Sequence, residues 1–78
     1  MLRSPNIVKQ AVIEREGKHY LVSTVLPPAG LGNSYETMVF NCNLNGQVTD
    51  WTEILVKYYS NHIDAINGHN EIEYYWHP

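Results

Sequence analysis

The stretch YYSNHIDAINGHNEIEYYW, Tyr58–Trp76, decides the fold, because it reads either as one amphipathic helix or as a hairpin turning at Asn67-Gly68. At 100° per residue, Ala65, Ile66, His69, Ile72 and Trp76 fall on one stripe with His62 at its edge, while Asp64, Asn67, Gly68, Glu71 and Tyr75 point elsewhere. That pattern predicts a helix from Asn61 onward. Ser60 or Asn61 can serve as its N-cap, and from Asn61 the carboxylate of Asp64 stands where a capping box needs it. Gly68 counts against the helix, by roughly 1 kcal/mol relative to alanine. The β-rich Tyr74 and Tyr75 lend the hairpin some credit, but the helical period is the stronger signal.

Working outward from the helix, the segments before it alternate in the manner of strands. YETMVFNC is strand-like, and NLNG followed by QVTDW resembles a type I turn closed by a glycine, Gly46, at a left-handed position. ILVKYY, Ile54–Tyr59, either continues the return strand or forms a separate one after an irregularity at Asp50–Glu53. A slip of one residue would exchange which of Met38/Phe40 and Val39 faces the core. Upstream, Asn6–Glu14 and His19–Leu26 are rich in β-branched residues and flank REGK, where Gly17 supplies a positive φ, so they predict another hairpin. PPAGLGNS, Pro27–Ser34, breaks regular structure and is expected to be a mobile surface loop, and residues 1–5 are expected to be flexible. The expected fold is α+β: an antiparallel four-stranded sheet of two hairpins, with one C-terminal helix packed on one face.

Size and composition restrict the function classes. At 78 residues the chain is read as a single domain with marginal stability. One cysteine, Cys42, closes no intrachain disulfide and makes no cysteine-rich zinc site, so the core must suffice or a second copy must help. No apolar run approaches the roughly 20 residues of a membrane span, and MLRSPNIVKQ lacks the apolar run of a secretory signal. The expectation is a soluble protein with no membrane role. Net charge is −3, and four of the five basic residues, Arg3, Lys9, Arg15 and Lys18, lie in the N-terminal quarter, leaving Lys57 alone beyond it. Nucleic-acid binding is not expected from so few cations.

Candidate chemistry is thin. His62 and His69 are seven residues apart, about 10.5 Å along a helix, whereas two ligands on one helix sit at i and i+3 or i+4. They are not expected to share a metal, and no cofactor is expected. His69 reads as a packing residue, hydrogen-bonded by strand backbone or by a side chain such as Glu36. Cys42 near a histidine is a conceivable nucleophile, but free cysteine is more often a buried small hydrophobe. Glu36, Asp50 and Glu53 read as solvated strand carboxylates rather than an acid–base pair. The glycines, at positions 17, 30, 32, 46 and 68, fit no phosphate-cradle spacing. No enzyme activity is expected.

Aromatic residues are the better signal. Trp51, Tyr58, Tyr59, Tyr74, Tyr75 and Trp76 exceed what one helix stripe and one sheet face can hide, and partly exposed aromatic residues serve as interface anchors. They are the candidate interaction surface, with Ala65, Ile66, His69 and Ile72 as the helix-packing set. The bland alternative is that these rings edge a small core.

Taken in order, the strand Tyr35-Glu36-Thr37-Met38-Val39-Phe40, the turn-return Val48-Thr49-Asp50-Trp51 with Glu53, the strand-ending Tyr59, and Ala65, Gly68 and His69 of A-x-x-G-H resemble a group of small bacteriophage and prophage proteins of unassigned function. The likeness covers roughly residues 20–76, and departs after Glu53, where Ile54 intervenes before Leu55. The resemblance implies a phage-type origin, the host bacterial cytoplasm as location, and a module that binds a host or phage protein, with a defence system among the possible targets. It implies no catalytic residues. A self-associating assembly accessory, including a homodimer, and a small metal- or ligand-binding protein using His62, His69 and Cys42 are the alternatives.

Overall fold

The computed structural model describes residues 6–28 and 34–78, so the expected flexibility of residues 1–5 and most of the expected mobile loop lie outside the described residues. Strands β1 (Asn6–Arg15), β2 (Lys18–Leu26), β3 (Tyr35–Cys42) and β4 (Val48–Tyr59) precede helix α1 (His62–Tyr75). The strands form one antiparallel sheet in the order β1-β2-β3-β4, so each strand neighbours its successor in sequence. This is the α+β architecture expected from the sequence.

Each turn has a local cause. Arg15 pairs with Lys18, and the two residues between them, Glu16 (φ 54) and Gly17 (φ 80), both lie at positive φ. That is the backbone of a type I′ hairpin, whose twist matches the strands. Between β3 and β4, Gly46 N–H donates to Asn43 O at 2.9 Å and Gly46 has φ 82. The Asn43 carboxamide oxygen accepts from the backbone N–H of Asn45 and of Gln47, which holds the turn from inside.

The register question resolves into one continuous β4 with an irregularity. Val39 pairs with Leu55 and Asn41 with Asp50, so four residues of β4, Trp51–Ile54, stand opposite Phe40 alone. The backbone N–H of Thr52 donates to Asp50 Oδ1 at 2.9 Å and pins the bulge. Val22, Val39, Thr24 and Thr37 lie beneath the helix and are fully buried, whereas Met38 and Phe40 point to the opposite side.

Asn61 caps α1: its side-chain oxygen accepts from Asp64 N at 2.9 Å, and its amide donates to Asp64 Oδ2 at 2.9 Å. The buried stripe of α1 is Ala65, Gly68, His69 and Ile72. Ile66, expected in the stripe, is half-buried at its margin, and Gly68, expected to point away, is at its centre. The displacement follows from Tyr59: a Cβ built at Gly68 would fall on Oη, Cζ and Cε1 of that ring, so the ring occupies the space a side chain would need. Tyr20, Val22, Val39 and Ile72 form the apolar core, with Ile13, Leu55 and Trp76 packed around it. Each fully buried aliphatic side chain among them contributes about 1.5–3 kcal/mol.

Candidate functional site

Under α1 runs a polar chain. Thr37 Oγ1 lies 2.6 Å from Thr24 Oγ1, which lies 2.7 Å from His69 Nδ1, and all three residues are fully buried. His69 Nε2 has no hydrogen-bond partner, and Glu73 Oε1 lies 3.7 Å from it. A carboxylate on that side favours the tautomer with hydrogen on Nε2, because a lone pair there would face negative charge. Nδ1 then accepts from Thr24, whose oxygen accepts from Thr37. The partner of His69 is therefore a threonine hydroxyl of β2, not Glu36 or strand backbone. Burial pushes the His69 pKa below its ordinary value; Glu73 opposes that shift and Lys9 adds to it.

The arrangement has the composition of a nucleophile–histidine–carboxylate relay, but neither Thr24 nor His69 reaches solvent. Cys42 pairs with His19 across β2 and β3, yet burial raises its thiol pKa and disfavours the thiolate. Glu36 pairs with Tyr58 and Asp50 with Asn41, which separates these carboxylates by five residues along β3, roughly 17 Å. His62 is exposed and stacks edge-on against Tyr35, apart from buried His69. Among the described residues, no three His, Cys, Asp or Glu side chains gather as a metal site would require. No helix among them is long and apolar enough to cross a membrane.

The six aromatic candidates separate into three groups. Tyr59 and Trp76 are half-buried between helix and sheet, Tyr59 over Gly68 and Trp76 edge-on to Tyr20 at 5.0 Å. Trp51 and Tyr58 belong to β4: the bulge sets Trp51 edge-on over Phe40 at 5.4 Å on the side without a helix, where Tyr58 also points. Tyr74 and Tyr75 end α1, 78% and 79% exposed, with their rings 6.3 Å apart. Beside them α1 and β4 diverge into an open groove of about 450 Å³ lined by Leu55, Lys57, Glu71, Ile72, Tyr75 and Trp76. Its lining is apolar apart from one charge of each sign, Lys57 and Glu71, and the Tyr59 hydroxyl pKa is raised by burial and then by Glu71.

Sequence reasoning missed the clamp on the helix end. Arg15 Nε donates to Trp76 O at 2.8 Å, and its terminal nitrogen donates to Glu73 O. The last turn of α1 contains no basic residue of its own, so β1 supplies the cation that the helix C-terminus favours. Lys9 Nζ adds a second tie, donating to Asn70 Oδ1 at 2.6 Å and lying 3.4 Å from Glu73 Oε2. Nothing in the charged run Glu14-Arg15-Glu16-Gly17-Lys18 singles out Arg15 for the first of these. Comparison with family models, with curated proteins and with solved structures gives no match for this chain.

Proposed function

We propose that this chain is a small, non-catalytic, phage- or prophage-type module that acts in the bacterial cytoplasm by binding another protein, a host factor or a component of a defence system. The observation that carries the reading is the exposed Tyr74–Tyr75 pair beside the open α1/β4 groove. Two rings held on a helix end offer large contact area at small entropic cost, which suits a protein interface. Lys57 and Glu71 on the groove walls favour a protein segment bearing an apolar anchor and charges of both signs over a polyanion. Burial of the Thr37–Thr24–His69 chain supports a non-catalytic role.

Binding is tested by affinity capture from host lysate with wild type and with the double variant Tyr74→Ser/Tyr75→Ser. Both residues are exposed, so the variant should keep its melting temperature. A protein retained by wild type, lost by the variant, and then bound at least tenfold more weakly by the variant in calorimetry supports the proposal. Equal binding by both would place the interface elsewhere.

A further inference from the structure

The sheet has two faces, and α1 covers one. The other carries Val12, Leu21, Met38, Phe40, Val56 and, through the bulge, Trp51, together with Tyr58 and the neutral pair Gln10 and Ser23, which are hydrogen-bonded to each other at 3.0 Å; the face is assigned by alternation from the register and the Phe40–Trp51 stack. Glu14 and Glu36 share this face but sit toward opposite ends of it, opposite His19 and Val25, so its centre is uncharged. Trp51 is 73% exposed and Ile54 beside it 41%. Val12 is 44% exposed on the same face, and a monomeric domain seldom leaves large apolar side chains grouped on one face in water.

We propose that this face is covered by a second copy of the chain, giving a two-fold α/β/β/α sandwich with the two helices outside. Area decides for a whole sheet as occupant. Four strands, with seven residue pairs in the β2/β3 ladder and seven in the β3/β4 ladder, span about 19 by 24 Å, on the order of 450 Å² when flat, and side-chain relief raises the accessible area further. Two such faces together remove on the order of 1,000 Å² or more, the extent a specific association needs. The molecule is 17 Å along its shortest axis, against 38 and 29 Å along the others, so a broad slab meets a broad slab. Edge-to-edge pairing is the less favourable route for a second copy. The pairing of β1 is irregular between Ile7 and Lys9, and that of β4 at Trp51–Ile54, which disrupts both outer ladders. A neutral centre also lets the face meet its own copy without opposing charges.

The proposal goes beyond the partner reading, because Tyr74 and Tyr75 end the helix that covers the other face. Sedimentation of the full chain across a concentration series tests it. The expected mass is twice 9.0 kDa, with a melting temperature that rises with concentration. Met38→Lys and Ile54→Lys should each raise the dimer dissociation constant at least tenfold while keeping the native circular dichroism spectrum, and Ile63→Lys on exposed helix surface should not. If Met38→Lys fails to fold, half-exposed Ile54→Lys decides alone. A 9.0 kDa species at every concentration would overturn the proposal and leave the face to a different protein, as would dimers undiminished by Ile54→Lys. Loss of dimer with retained capture of a host protein would separate this interface from the tyrosine pair.

Discussion

The phenol of Tyr59, the last residue of β4, rests on the backbone of Gly68 in the middle of α1, in the space a Cβ would occupy. One aromatic side chain and one missing side chain thus set the approach of helix to edge strand.

Gly68→Ala should therefore destabilise the protein by about 1–3 kcal/mol, even though alanine gains roughly 1 kcal/mol of helix propensity. The added methyl must expel the Tyr59 ring from its half-buried position. In a Tyr59→Ser background the same substitution should become neutral or stabilising, a reversal that urea denaturation of the four-protein cycle would reveal. Additive losses would mean the ring and the glycine do not interact.

Acidification should weaken the fold through His69. Its folded pKa lies below the ordinary 6.5, so the unfolded chain takes up the proton first as pH falls. The contribution is fully present above about pH 6.5 and is lost as pH falls toward the folded pKa, with a limiting slope of about 1.4 kcal/mol per pH unit. Glu73 limits the loss by accepting charge on Nε2, and Lys9 enlarges it. His69→Gln should be less stable at neutral pH and should show a shallower stability decline between pH 7.5 and 5. Parallel profiles for the two proteins would assign the acid sensitivity to other groups.

Arg15→Ala should cost about 1–2 kcal/mol, since it removes donors to two terminal helix carbonyls together with a cation at the negative end of the dipole. Arg15→Lys keeps the charge but not the fork, and should recover only part of the loss. Hydrogen exchange should show faster opening confined to the last turn of α1. Unchanged exchange there would mean the clamp carries no weight.

The strand and helix assignments were legible because their signals are local. Asn61 and Asp64 mark the start of α1, Gly46 and Gly17 mark turns that need positive φ, and the alternation of YETMVF marks β3. What could not be read depended on partners distant in sequence. A helical wheel scores Ile66 as core and Gly68 as indifferent, because hydrophobicity cannot register a residue used for its lack of a side chain. His69 was recognisable as buried, yet its partner Thr24 lies 45 positions away, and nothing in a threonine-bearing strand distinguishes a hydroxyl aimed at a helix. The aromatic residues suggest one surface when taken as a set, but the alternation of β4 sends Tyr58 and Tyr59 to opposite sides of the sheet.

The threonine–histidine chain also bears on how such a sequence can change over time. Turning α1 by one residue would bring Ile66 inward and leave the buried Thr24 hydroxyl without its acceptor, so the chain fixes the helix in one rotational setting. It also ties three positions on three elements to a common fate. Replacing His69 alone strands Thr24, and replacing Thr24 alone strands His69. A lineage moving to an apolar core here must pass through a destabilised intermediate, or alter the positions together. Diverging descendants of this chain should accordingly vary at residues 24, 37 and 69 as a set, while exposed positions such as Tyr74 and Tyr75 drift one at a time unless a partner holds them.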